Sequence, residues 1–156
     1  MTTTIRQVNP NGTRVFMGTI TERALLHDSL IEAATLNNVQ TATFEMLGGL
    51  HEVELTAYDF VTQTRMPAIV ITRAMEIVAG HGTLSLLDGK PHVHLHMTLA
   101  YRDEASPTGI MVIGGHVARA VAYAVEFTMT AYEGAPVHRA LHIGTGLNLW
   151  DLPKGT

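Results

Sequence analysis

Histidine occupies every second position in the run Pro91-His92-Val93-His94-Leu95-His96-Met97-Thr98-Leu99, and another follows two glycines at Gly114-Gly115-His116, 20 positions after His96. In an extended strand successive side chains point to opposite faces, so His92, His94 and His96 share one face while Val93, Leu95, Met97 and Leu99 share the other. Neighbours on one face start roughly 6.5–7 Å apart, and two leaning imidazoles can converge on an ion held about 2.0–2.1 Å from each nitrogen. A His-x-His pair on a strand is therefore a bidentate half-site. His92 and His96 begin about 13 Å apart on the same spacing, so one ion does not take all three, and the pairs 92/94 and 94/96 both stay open. The third ligand must come from another part of the chain. His116 is the best candidate, because the two glycines before it carry no Cβ and let its backbone approach a neighbouring strand. Three histidines leave one coordination position free, the arrangement of a catalytic or ligand-binding zinc rather than of a closed structural site. Nickel, iron and copper also bind imidazole, so spacing does not choose the ion. The plainer alternative is a row of solvated or hydrogen-bonded histidines on a half-buried strand.

The rest of the chain must supply a scaffold for that strand. Its 156 residues suit one domain with a real core, read as residues 13–152 after an N-terminal extension, 1–12. Charged residues make up 15% of the chain, against about 25% in an average protein, and mean hydropathy is +0.16. So little charge predicts apolar surface buried between subunits. No apolar run approaches the roughly 20 residues of a membrane helix. The start, Met-Thr-Thr-Thr-Ile-Arg, holds no signal-peptide core, and cysteine is absent, so a soluble cytoplasmic protein is expected. The net charge of −4 argues against a phosphate-binding surface.

Along the chain, Thr13–Ile20 carries the β-branched and aromatic residues of a strand. A helix is expected over residues 22–37, with Leu26, Leu30 and Ala33/Ala34 at helical spacing, Thr19 and Glu22 as a capping box, and Asn37-Asn38 as its stop. Residues 39–46 and 51–59 read as two strands of a hairpin around Gly48-Gly49. Short strands are expected over 67–73, 75–79 and 83–87, after which Asp88-Gly89 is a hairpin turn into the histidine strand. A polar loop over 102–108 precedes strands at 110–113 and 120–132, the latter with some helical character near its alanines. One helix and many strands joined by hairpins describe an α+β domain on a mostly antiparallel β-sheet.

The segment Glu76-Ile77, His81-Gly82-Thr83-Leu84-Ser85, Asp88-Gly89-Lys90-Pro91, His94-Leu95-His96, Gly114-Gly115-His116 and Ala124-Val125-Glu126, in that order, resembles the plants-and-prokaryotes-conserved (PPC, or PCC) domain. The tail over residues 139–152, RALHIGTGLNLWDL, is similar to that of bacterial members. The resemblance implies the PPC-domain fold, a homotrimer, and zinc held by His94, His96 and His116, with His92 beside the site. Plant members carry an AT-hook, Arg-Gly-Arg-Pro, which this sequence lacks. The family's DNA-binding label is thus expected to transfer as a name only, without direct nucleic-acid contact.

A more distant resemblance, to acetolactate decarboxylase, points to chemistry on a small oxo or hydroxy acid. It makes Glu126 and Glu76 candidates for proton transfer and Arg73 a candidate for holding a substrate carboxylate, if need be from a second chain. Each has a duller reading, as a solvated or paired side chain. His81 can orient a ligand from beside the site. His27 is expected on the helix surface, and no spacing marks His51, His138 or His142. Two functional readings follow: a zinc-dependent enzyme or small-molecule sensor, and a trimeric binding module whose metal is incidental.

Overall fold

A computed structural model describes residues 3–152 of the chain. Its elements run β1 (Thr13–Ile20), α1 (Leu26–Leu36), β2 (Ala42–Thr56), β3 (Tyr58–Asp59), β4 (Thr64–Arg65), β5 (Ile69–Leu87), β6 (Lys90–Arg102), β7 (Ile110–Tyr132), β8 (His138–His142) and β9 (Leu147–Trp150). β2 pairs with β7 and β5, and β6 pairs with β5 and β7, so these four antiparallel strands close into a barrel-like ring. β1 adds to β7 outside the ring, while β8 joins β5 in parallel and β9 completes the edge. The expected architecture of one helix on a mostly antiparallel sheet is therefore present.

The ring closes because its strands are long and change partner along their length. β7 runs beside β6 over residues 110–116 and beside β2 from His116 onward. Such partner changes need bends, and the sequence places glycine where they occur. Gly48-Gly49 is not the hairpin turn that its composition suggests. It sits inside β2 at a register shift, with Gly48 at φ +126°. A Cβ there would lie 2.0 Å from the Ala124 carbonyl oxygen, so the dipeptide is a β-bulge that lets β2 bend along β7. For the same reason the short strands expected over 67–73, 75–79 and 83–87 are one strand, β5, with its own shift between Ile77 and Ala79. Residues 110–113 and 120–132 likewise join into β7, with Gly114-Gly115 in its interior and no helix at the alanines.

The core lies within the ring and under α1. Val93, Leu95, Met97 and Leu99, the predicted apolar face of the histidine strand, are all buried, and Leu26, Leu30 and Ala34 pack down from the helix. The helix starts later than expected. Thr19 belongs to β1, opposite Glu126, and Glu22 bonds His51, so no capping box forms. Arg23 takes φ +68°, its N–H donates to the Ala122 oxygen, and Ala122 N–H returns a bond to Ala24. This stitching to β7 holds residues 22–25 out of the helix. The expected stop is observed, with Asn38 left-handed and Val39 N–H donating to Ala34. Asp88 and Gly89 both take positive φ, as a two-residue hairpin between β5 and β6 requires.

If the bulge bends β2 as described, Gly48→Ala incurs both backbone strain and a clash with Ala124. It should lower the unfolding free energy by about 2–4 kcal/mol in urea titration, and an unchanged midpoint would contradict the bulge.

Candidate metal centre

Strand pairing builds the site. On β6 the histidines occupy the face opposite the buried Val93, Leu95 and Met97, and the register sets His81 of β5 and His116 of β7 on either side of His96. Directly opposed residues share a face, so one row across three strands carries His81, His96 and His116, with His94 two residues along β6. The close approach of β7 depends on its glycines. A Cβ at Gly114 would stand 2.6 Å from the Met97 carbonyl oxygen, and one at Gly115 3.1 Å from that of Thr56.

One ring nitrogen from each of His94, His96 and His116 lies within 4.8 Å of the others, and His94 Nε2 and His96 Nε2 are 3.1 Å apart. Ligands at about 2.05 Å around a tetrahedral ion are about 3.3 Å from one another, so the triad needs only small rotamer adjustments to close on one. Of the two pairs left open by spacing, the cluster contains 94/96, and His92 lies outside it. His116 Nδ1 is buried without a hydrogen-bond partner among the described residues. An unsatisfied buried polar atom costs about 1–3 kcal/mol, and a set of three converging imidazoles is a donor set that fits a metal ion.

The protonation states suit the same purpose. Burial, followed by Arg139 and the neighbouring His96 and His92, pushes the His94 imidazole down to about 4. Burial, then Arg65 and the other two triad members, brings His116 to about 4 as well. His96 is lowered by burial, His81 and Arg65. All three rings are thus neutral at pH 7, the form that binds metal.

Sequence reasoning missed several residues around the triad. Arg65 is carried by the β3–β4 hairpin, which is tied to the β8–β9 turn by Tyr58 O–H donating to the Thr145 oxygen and Gln63 Nε2 donating to the Gly144 oxygen at 3.0 Å. Arg139 of β8 lines a cavity of about 630 Å³ together with His81, His94, His96 and Trp150. A basic residue on the same strand phase as the buried Val137 was the available signal. His27, expected on the helix surface, is half-buried instead, and its imidazole, lowered chiefly by burial, lies close enough to His92 and His116 to feel both.

Glu126, Glu76 and Arg73 are placed elsewhere within the chain. Glu126 lies exposed on β7 and lines a second cavity, of about 910 Å³, with Met17, Leu47, Val78 and His81. Glu76 is exposed on β5 opposite Ala100. Arg73 stacks on Tyr101 at 4.3 Å and donates to the Arg102 carbonyl oxygen at 2.7 Å. None of the three lines the cavity of His94 and His96, whereas His81 lines both cavities.

Solved structures share this architecture. A metal-containing protein from Archaeoglobus fulgidus is 24% identical, with 88% of this chain and 92% of that one covered and a TM-score of 0.79. A plant- and prokaryote-conserved (PPC) protein from Pyrococcus horikoshii is 23% identical over 90% and 93% of the two chains, with a TM-score of 0.77. A candidate DNA-binding protein from Ralstonia eutropha JMP134 is 21% identical over 93% and 94%, with a TM-score of 0.75. At such identities the likeness shows the fold alone. No curated protein matches the sequence. Residues 7–133 match the model of the Plants and Prokaryotes Conserved (PCC) domain, and by that match over most of its length the chain belongs to the PCC family.

Proposed function

We propose that this protein is a metal-binding homotrimer in which His94, His96 and His116 hold zinc, leaving one coordination position for a small-molecule ligand. The observation that carries the reading is the convergence of three neutral imidazoles within 4.8 Å on adjacent strands. When bound, zinc supplies Lewis acidity toward an oxygen-bearing ligand. The chain's own part is to keep the three rings deprotonated, to fix two of them on one strand face, and to wall the site with Arg139, Trp150 and Leu149. Glu126, Glu76 and Arg73 reach that cavity only if a second chain brings them, so a ligand-binding site is preferred over a named reaction. Low charge content supports the trimer, as do Met17, Leu47 and Val78, exposed at 84%, 60% and 50% around the larger cavity. The net charge of −4 favours small molecules and further copies of the chain over nucleic acid as partners. No helix among the described residues is long and apolar enough to cross a membrane.

Elemental analysis of untagged protein should give close to one zinc per chain. His94→Ala should lower zinc affinity by about 100-fold or more while leaving the circular dichroism spectrum intact, and unchanged zinc content in that variant would remove the ligand assignment. In light scattering the protein should have three times the 16.9 kDa mass of one chain, and Leu47→Glu should lower that mass without unfolding the subunit. A monomeric wild type would overturn the trimer.

Acid should empty the site in a definite window. His94 and His116 sit at about 4 in the folded chain, against 6.5 when unfolded, so between these values the unfolded chain binds more protons and stability falls as pH falls. Zinc content after dialysis should hold from pH 7 down to about pH 4, where protons first compete for the folded rings, while the urea midpoint of metal-free protein falls between pH 6.5 and 4. Zinc release that begins near pH 6.5 would contradict the depressed imidazoles.

A further inference from the structure

Arg139 is 9% exposed, and among the described residues no carboxylate pairs with it. Its guanidinium is held only by neutral groups: Nε donates to Ser85 Oγ at 2.8 Å, Nη2 to Thr83 Oγ1 at 2.9 Å, and Nη1 to the Asn148 carbonyl oxygen at 3.0 Å. Of the five N–H donors of an arginine these bonds use three, which leaves one N–H on each terminal nitrogen. A cation buried without a counter-charge is costly, and a fixed planar fork is the group that best recognises a carboxylate.

Its location sharpens the point. Arg139 lines the cavity onto which His94 and His96 open, and its charge, like that of Arg65, is felt at His94. Arginines beside a site for a divalent cation repel the ion unless an anion lies among them. Asp151 is the acidic residue lining that cavity, and it makes no ion pair with Arg139. With a divalent ion bound, the site therefore keeps an excess of positive charge. Leu149 and Trp150, exposed at 43% and 50%, add an apolar wall, and the Trp150 ring lies 5.9 Å from the guanidinium carbon of Arg139. Arg139 and Trp150 both lie beyond residue 133, where the family match ends.

We infer that this cavity binds a short organic acid, its carboxylate on the two free N–H groups of Arg139, its carbon body against Trp150 and Leu149, and a second oxygen donor toward the triad. The inference deepens the metal-site reading by naming the ligand class. It rests on that reading for the second contact only, since the carboxylate anchor needs no metal.

Trp150 is the chain's single tryptophan, so its fluorescence reports on this cavity whether or not metal is present. Malonate, succinate and glutarate should be titrated into metal-free and Co(II)-loaded protein, beside their uncharged diamides and inorganic phosphate. At least one of the acids should change Trp150 emission saturably and bind about ten-fold or more tighter than both its diamide and phosphate, with a stronger response and a shifted Co(II) absorption band in the loaded protein. Arg139→Met should abolish the preference for acid over diamide. Because Arg139 also ties β8 to Thr83 and Ser85, the wild-type comparison of acid with diamide decides the matter even if that variant fails to fold. Equal response to acid and diamide, tighter binding of phosphate, or an acid preference that survives Arg139→Met would each overturn the proposal. Failure to take up Co(II) would sink the metal reading while the fluorescence arm still judges the Arg139 anchor.

Discussion

The site depends on the register of β6 between its two neighbours. Pairing His81 with His96, and His96 with His116, aligns three strands so that one face of β6 fills the core and the other gathers imidazoles. Because side chains alternate with a period of two, a slip of one residue would turn Val93, Leu95 and Met97 to solvent and drive the histidines into the core. The apolar face thus pins the position of the ligands. The hydrophobic energy that closes the barrel also sets the geometry of the histidine triad, and no separate device is needed to hold His94 and His96 on one side.

Electrostatics completes what register begins. Partial burial withdraws the imidazoles from water, and the guanidinium groups of Arg65 and Arg139 make protonation less favourable still. Cations are an unusual choice beside a candidate metal site, since carboxylates would neutralise an ion directly. Their effect is to keep the histidines deprotonated while leaving the local charge to be balanced by something that arrives from outside. The two arginines come from separate small hairpins, β3–β4 and β8–β9, tied to each other at the Thr145 turn. Both lie outside the four-stranded ring, so the barrel provides the ligands and its appendages provide the surrounding charge.

The chemistry-bearing strand was legible because its signals are local. Alternation of histidine with apolar residues marked its two faces, Asp88-Gly89 marked its entry, and Gly114-Gly115 marked the close approach of its neighbour. The long strands were not legible as such. Gly48-Gly49 carries the composition of a turn, and only its pairing with β5 and β7 shows that it lies within β2 at a register shift. The helix start was misplaced because Thr19 and Glu22 satisfy a local capping pattern that the tertiary bonds of Arg23 and Ala24 with Ala122 override. Arg139 was passed over for a related reason. Its partners Thr83, Ser85 and Asn148 are brought to it by the β5–β8 and β8–β9 pairings, which nothing near it in sequence announces.

The closed ring also orders events as the chain folds. β5 and β6 are joined by a two-residue turn and can pair as soon as both exist, so β6 is extended early, with His94 and His96 on one face and His81 beside His96. β7 is needed to cover the other edge of β6, the free side of β2 and the whole of β1, across separations of more than a hundred residues between β1 and its partner positions. Topologies dominated by such distant pairings fold slowly and leave edges open meanwhile. Until β7 docks, the histidine strand has an unpaired edge and carries two of the triad's three rings. Completion of the histidine triad therefore coincides with closure of the barrel, and an ion that needs all three rings would bind only chains that have finished folding.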